Sequence, residues 1–276
     1  MNVLSLFDGI SCGQLALQRA GINVNNYFAS EIDPYAILIA KKNFLDTKHI
    51  GSVTDVRSED LPYIDLLIGG SPCQSFSVAG NGEGFDGKSK LFWEFVRLLK
   101  EVKPKYFLLE NVKMKKQWEK IITDALGVEP IMINSSLVSA QNRRRLYWTN
   151  IPNVTQPEDK GILLRDVLMT DSIVLNKFKL SEKAIDYMNR LRNGKPRWEY
   201  HANPLDGKAS CLTANMWKGV PYGVVKDLLR RLTPIECERL QTLTDGYTSG
   251  ISDTQRYKSI GNGWTVDVIA HKFKNL

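Results

Sequence analysis

The stretch Tyr63–Ser77, YIDLLIGGSPCQSFS, sets the fold. Its first six residues make a short, largely apolar run closed by Gly69 and Gly70, which is the length and punctuation of a buried strand rather than of a helix. Ser71 and Pro72 then turn the chain, and Cys73 follows on a polar, glycine-rich loop that runs on to Gly87. A cysteine in that place is core filler, a metal ligand or a nucleophile. Core cysteines seldom sit on such loops, whereas strand-end loops are where functional residues gather.

The same strand-then-helix pattern recurs on both sides. Asn2–Phe7 (NVLSLF) is a strand candidate, followed by SCGQLALQRAG, in which Ser11 is placed to cap a helix ending at Gly21. Asn26–Asp33 (NYFASEID) is the next strand, and Pro34 suits the first turn of a helix reaching Phe44. Lys90–Val102 has helical periodicity, Lys105–Val112 (KYFLLENV) reads as a buried strand, and KKQWEKIITDALG reads as a helix closed by Gly127. EPIMINSSLVS and RLYWTNI are the last strand candidates. Such alternation predicts an α/β fold, a mostly parallel sheet with helices on both faces, whose ligands sit at the carboxyl ends of the strands.

From Pro152 to Leu229 the periodicity weakens and Pro, Gly, Asn, Lys and Arg rise, the mark of a small irregular lobe. Arg230–Leu243 (RRLTPIECERLQTL) then carries a Thr-Pro helix start with Glu236 three residues after Thr233, a capping box. The tail YKSIGNGWTVDVIAHKF reads as a Gly-rich turn opening an apolar helix.

The bulk composition narrows the function. The 276 residues carry 37 basic and 30 acidic side chains, a net charge of +7 that suits a polyanionic partner without requiring one. No apolar run approaches the length of a membrane span, and MNVLSLFDG reads as a first strand rather than a signal peptide. The four cysteines (Cys12, Cys73, Cys211, Cys237) form no CxxC pair and the three histidines are scattered, so neither a metal site nor a disulfide framework is expected. A reducing compartment leaves Cys73 a free thiol, either buried or nucleophilic.

Several strand ends carry chemistry-bearing residues. FDGISCG opens a helix with a small-residue turn whose free N–H groups suit a close ligand, or is a plain tight turn. Glu31 ends the second strand, where a carboxylate accepts from ribose hydroxyls or serves as a helix-start charge. Asp55, in GSVTDV, is an acceptor for an adenine amino group or a turn aspartate. Glu110, in ENV, ends a buried strand, where a carboxyl group can meet a base ring nitrogen or simply face water. In QNRRRLYW, Arg143, Arg144 and Arg145 lie on an extended segment. Alternation puts Arg143 and Arg145 on one side, sharing a site, unless the run is only a solvated basic face.

Taken in order, FDG, the Glu31 strand end, Asp55–Val56, GGSPCQSFS, LFWEF, ENV, QNRRR, RRLTPIECERLQ and QRYKSIGNGW resemble the DNA (cytosine-5) methyltransferases. The tail GNGWTVDVIAHKF, together with SEIDPYA and LTPIECERLQTL, is similar to the animal de novo members, though without room for their accessory chromatin-reading domains. The resemblance implies a Rossmann-like fold that uses S-adenosyl-L-methionine. It implies a catalytic domain over 1–151 and 244–276 and a target-recognition lobe over 152–243. It makes Cys73 the nucleophile that attacks cytosine C6, with Glu110 at the ring N3 edge and Arg145 and Arg143 steadying the base and loop. The cofactor residues it implies are Phe7, Asp8, Gly9, Ile10, Cys12, Glu31, Ile32, Asp33, Asp55, Val56, Arg57, Gly70, Pro72, Leu91, Asn262, Gly263 and Trp264. Ser75, Ser77, Val112, Arg192, Lys195, Arg197, Thr213 and Asn215 are the implied contacts to a flipped-out base and its double-stranded DNA. No metal and no membrane enter this picture. A bacterial or phage-encoded cytoplasmic enzyme, with a cognate restriction enzyme as companion, is the expected setting.

Two other readings stay open on the sequence. A transfer-RNA cytosine-5 methyltransferase shares these motifs and carries a Cys-Phe-Thr element that Cys211–Leu212–Thr213 approaches. A catalytically inactive DNA-binding relative would ordinarily lack the Pro-Cys or the Glu-Asn-Val, both of which stand here.

Overall fold

A computed structural model of the chain describes residues 1–72 and 91–276. Cys73, Ser75, Ser77 and the Gly80–Gly87 loop lie outside the described residues. The chain divides into two compact units: Met1–Asn134 with Arg144–Gln156 and Asp267–Leu276, and Ser135–Arg143 with Pro157–Val266.

The first unit is built on a seven-stranded sheet. Its elements run β1 (Asn2–Leu6), α1 (Cys12–Arg19), β2 (Asn26–Ser30), α2 (Pro34–Asn43), β3 (Lys48–Gly51), β4 (Leu66–Gly69), α3 (Phe92–Val102), β5 (Tyr106–Val112), α4 (Lys116–Leu126), β6 (Ile131–Asn134) and β7 (Arg144–Thr149). The strand order is β3-β2-β1-β4-β5-β7-β6, and β7 alone runs against the direction of the other six. Continuous apolar runs explain the central strands: Val3, Leu4, Leu66, Leu67, Ile68 and Leu108 are all inaccessible although successive side chains point to opposite faces. One face packs Leu4, Leu6, Leu67 and Leu109 against Phe92 and Phe95 of α3 and Trp118 and Ile122 of α4. Gly69 permits this at the end of β4, since a Cβ there would lie 3.0 Å from the Phe95 ring and 3.1 Å from the Leu6 carbonyl.

Register fixes where the loops emerge. Leu6 pairs with Ser30 and with Gly69, and Gly69 pairs with Leu109. The segments after β1, β2 and β4 and the end of β5 therefore share the sheet's carboxyl edge. The order reverses between β1 and β4, which is the switch point at which such sheets bind ligands.

One local expectation is corrected here. Ser11 sits at the N-cap position of α1 but does not cap it: its backbone is left-handed (φ 58°) and its hydroxyl donates to Asp8 instead.

The second unit is mostly loops and short helices: α5 (Leu164–Val167), α6 (Ser172–Asn176), α7 (Glu182–Asn189), α8 (Trp198–His201), α9 (Pro234–Leu240) and α10 (Asp253–Asn262). Two two-stranded ladders, β8 (Leu191–Arg192) with β9 (Lys195–Pro196) and β10 (Val224–Val225) with β11 (Arg230–Arg231), complete it. The capping box forms: Thr233 Oγ1 accepts from the Glu236 N–H at 3.1 Å and the Glu236 carboxylate accepts from the Thr233 N–H at 2.7 Å. Arg230 makes a second, bidentate pair with the same carboxylate at 2.8 and 2.6 Å.

The C-terminal turn differs from expectation. Tyr257–Asn262 is the last part of α10, so only Gly263–Thr265 turns before α11 (Val266–Phe273). Gly261 tolerates a helix there because its bare Cα faces the main chain of Thr213 and Ala214, which any Cβ would overlap. The unit also reaches beyond the expected lobe of 152–243, taking in Ser135–Arg143 and running to Val266.

Candidate active site

The turn after β1 is an unusual piece of backbone. Phe7, Gly9 and Ser11 all take positive φ (57°, 59° and 58°), a conformation that non-glycine residues hold only when their surroundings impose it. Asp8 supplies that constraint. Its partly buried carboxylate accepts from the hydroxyls of Ser5 (2.6 Å), Tyr27 (2.7 Å) and Ser11, and its N–H donates to the Ser30 carbonyl at 3.1 Å. Burial pushes the Asp8 pKa up and the nearby Glu31 charge adds to that, while the three hydroxyls oppose it.

Glu31, one residue past β2, ties the two strand ends together. Its Oε2 accepts from the Gly9 N–H at 2.8 Å and its Oε1 from the Ile32 and Asp33 N–H groups at 2.8 Å each. A carboxylate has about four acceptor positions, so these three bonds leave room for a ligand hydroxyl. Ile32, beside it, is 72% exposed.

The remaining cofactor candidates of this unit divide. Asp33 is engaged as the N-cap of α2, accepting from the Tyr35 N–H at 2.9 Å. Ile10 and Cys12 are buried in the core, so only their main chain can reach a ligand. Val56 is likewise buried, and its carbonyl is held by Arg97 Nη2 at 3.2 Å. Asp55 and Arg57 are exposed, while Gly70, Pro72 and Leu91 are half-buried.

At the end of β5, Glu110 forms an ion pair with Arg145 Nε at 2.9 Å, the two side chains being 11% and 14% exposed. Glu110 lies opposite Tyr147 and Val112 opposite Arg145 in the antiparallel ladder, so the pair is a diagonal one on one face of the sheet. Asn111, pointing the other way and buried, donates to Ser71 Oγ at 3.1 Å and to its carbonyl at 3.4 Å. That anchor fixes the last residues before Cys73, and it was not legible in the sequence beyond the letters ENV.

Arg143 does not follow the alternation expected of it. The strand begins at Arg144, and Arg143 belongs to the second unit, where it is buried. Its Nη1 donates to the Leu212 carbonyl at 2.9 Å and its Nη2 to the Gly263 carbonyl at 2.8 Å.

The second unit also carries Asn262 (exposed), Gly263 and Trp264 (half-buried), and the exposed Thr213 and Asn215. Arg192 and Lys195 stand exposed on the β8–β9 hairpin, whose Asn193–Gly194 turn has φ of 50° and 77°, the left-handed pair that a two-residue hairpin needs. Arg197 lies over the Tyr187 ring at 4.7 Å, and Val112, at the end of β5, is half-buried. Among the described residues no group of three or more His, Cys, Asp or Glu is placed to hold a metal.

The chain belongs to the C-5 cytosine-specific DNA methylases, whose sequence model matches residues 1–203 and 169–276. It is 32% identical to the Type II methyltransferase M1.ScrFI of Lactococcus lactis subsp. cremoris, over 97% of this chain and 76% of that one. It is 27% identical to the Type II methyltransferase M.Bsp6I of Bacillus sp., over 100% and 98%. Among solved structures, the Entamoeba histolytica methyltransferase EhMeth superposes with a TM-score of 0.76 at 20% identity, over 98% and 96% of the two chains, a likeness of fold. The chain is therefore a DNA (cytosine-5) methyltransferase, and its methyl donor is S-adenosylmethionine. The first unit fits such a donor, offering a carboxylate with an open acceptor position beside a turn held in an imposed backbone conformation at the sheet's switch point.

Proposed function

We propose that the chain methylates C5 of a cytosine flipped out of a specific duplex-DNA site, with Cys73 as nucleophile and Glu110 and Arg145 acting on the base. The observation that carries this reading is the buried Glu110–Arg145 pair at the end of β5, on the same sheet edge as the segment that leads into Cys73. The Cys73 thiolate adds to C6, forming a C–S bond and placing an electron pair at C5. Glu110 passes a proton to the ring N3 and Arg145 meets the neighbouring carbonyl oxygen, neutralising the charge that addition puts on the ring. The bound donor supplies an electrophilic methyl group, and Glu31 and the Phe7–Gly9 turn hold it. Transfer of the methyl group to C5 releases S-adenosylhomocysteine, and loss of the C5 proton to water, expulsion of the Cys73 thiolate and return of the N3 proton to Glu110 then restore the aromatic ring.

The second unit serves as the target-recognition lobe. Its exposed cations at Arg192 and Lys195 and the half-buried Arg197, with Thr213 and Asn215, face DNA, and Ser75, Ser77 and Val112 attend the flipped base. Asn262, Gly263 and Trp264 are assigned to donor binding. The setting is a bacterial or phage cytoplasm, and a restriction endonuclease of matching specificity is the companion, as the Type II names of the relatives suggest. No helix of the described residues is long and apolar enough to cross a membrane.

A duplex library carrying 5-fluorocytosine tests the chemistry, because fluorine at C5 cannot leave as a proton does. The wild type should form a gel-stable adduct that requires S-adenosylmethionine, and Cys73→Ser should form none. An adduct that survives Cys73→Ser removes the assignment. The same assay on transfer RNA should give no adduct.

A further inference from the structure

Two stretches of the second unit, assigned above to different ligands, are joined by three buried side chains. Leu212, adjoining the DNA-facing Thr213, has both main-chain groups held. Its N–H donates to Gln141 Oε1 at 2.8 Å and its carbonyl accepts from Arg143 Nη1 at 2.9 Å. Gly263, in the donor-facing stretch, has its carbonyl held twice, by Arg143 Nη2 at 2.8 Å and Gln241 Nε2 at 3.0 Å. Gln141 Nε2 donates to Gln241 Oε1 at 3.2 Å, which closes the network. Gln141 and Gln241 are fully buried and Arg143 is 4% exposed, so water does not loosen these bonds. Gly261 adds a steric link, since the main chain of Thr213 and Ala214 occupies the space where its Cβ would be.

We propose that Gln141, Arg143 and Gln241 are positioning residues that couple DNA binding at Thr213 and Asn215 to donor binding at Asn262, Gly263 and Trp264, so that each ligand tightens the other. This rests on the reading of those stretches given under the proposed function. Whichever ligand binds first orders its own stretch and, through the shared side chains, removes freedom that the other stretch must lose. Cooperativity of that kind needs no rearrangement. Linkage requires the same factor in both directions.

The test uses the whole chain, S-adenosylhomocysteine as an unreactive donor mimic, and a duplex bearing the site mapped by bisulfite sequencing of DNA the wild type has methylated. In hydrogen exchange, the mimic alone should slow the Leu212–Asn215 amides, and the duplex alone should slow those of Gly263–Val266. By calorimetry the mimic should bind about tenfold tighter with the duplex present. Arg143→Lys keeps the charge and loses the fork. It should cut that ratio to about threefold or less and raise KM for both ligands more than it lowers kcat. Missing cross-protection in the wild type, or an unchanged ratio in a folded Arg143→Lys, overturns the coupling. If Arg143→Lys does not fold, the wild-type exchange result decides. A wild type that neither binds nor methylates duplex DNA overturns the functional reading of the two stretches instead.

Discussion

At the sheet edge, the functional residues are placed by register. Leu6, Ser30, Gly69 and Leu109 stand level across four strands, and Asp8, Glu31, Ser71 and Glu110 follow from them within two residues. In the second unit, Leu212 and Gly263 stand where Arg143 and Gln241 hold their carbonyls and Gln141 holds the Leu212 N–H, and Glu236 and Glu238 hold the Met169 and Thr248 N–H groups. The first arrangement is made of repeating main-chain bonds and apolar runs, so its strand order does not depend on any one polar side chain. The second is made of individual polar side chains bonded to particular main-chain atoms, so removing one leaves buried groups without partners. Side-chain substitutions should therefore cost chemistry in the first unit and fold in the second.

The largest effect expected on this contrast is at Glu110. Glu110→Gln keeps the shape and a hydrogen bond to Arg145 but removes the charge, and should lower kcat by about 10²–10⁴. DNA binding and the melting temperature should change little, because the strand is held by its neighbours and not by this pair. Single-turnover methylation of the mapped duplex checks it. A variant within tenfold of wild type, a ratio of about 1.4 kcal/mol, would separate Glu110 from the chemistry.

Next is Glu236, which accepts from Arg230, from the Thr233 N–H and from the Met169 N–H and is wholly inaccessible. Glu236→Ala leaves a buried guanidinium and two N–H groups unpaired and should cost about 3–5 kcal/mol in urea unfolding. The control lies in the first unit: Arg97 pairs with Glu101 at 2.9 Å on a partly exposed helix face, and Glu101→Ala should cost under about 1 kcal/mol. Equal costs would erase the distinction between the units.

How far the sequence reveals each unit follows from the same physics. Apolar runs such as Val3–Leu6 and Leu66–Ile68 announce their strands, and glycines and prolines punctuate them, so the order of elements and the strand-end acids could be read directly. The Thr233–Glu236 capping box is a local pattern and was equally legible. Arg143 was misread because alternation presumes a strand, and the strand starts one residue later. Gln141 and Gln241 gave no signal at all: uncharged amides carry no periodicity, and their partners are main-chain atoms 71 and 22 residues away. The Gly-rich tail reads as a turn in the sequence, but Gly261 is a close-approach glycine inside α10.

Lys272 offers the converse of Glu236, a buried charge in the first unit whose loss should stabilise. Its ammonium group lies 4.1 Å from the Tyr147 ring centre with no hydrogen-bond partner, and burial lowers its pKa from 10.5 to about 7. Below pH 7 the amine is charged in both folded and unfolded chains, and the full burial penalty applies. Between pH 7 and 10.5 the unfolded chain binds more protons, so wild-type stability rises with pH, and above 10.5 the penalty is gone. Lys272→Met should thus stabilise by several kcal/mol at pH 7, up to about 5, and by nothing measurable above the upper pKa. Denaturation across that range checks it, and a pH-independent gain would mean that packing, not charge, was responsible.

The smallest effect should come from the surface of the second unit, where substitution spares the fold and touches only DNA. Lys195 is exposed on the β8–β9 hairpin and pairs with Glu199 at 3.2 Å, a surface contact worth little to stability. If it meets a phosphate, Lys195→Ala should weaken all duplexes alike, by less than about tenfold, and flatten the plot of log K against log salt by about 0.9. Arg192, its neighbour across the hairpin, is the sharper case. A guanidinium that reads a guanine edge should, when replaced by alanine, relax one position of the methylated site at a cost of about 1–3 kcal/mol and leave the salt slope nearly untouched. Methylation of a randomised duplex library by the two variants, each titrated at several salt concentrations, separates the roles. If neither variant alters salt slope or site preference, the hairpin does not face DNA, and recognition falls to the Thr213–Asn215 stretch that the buried amides hold in place.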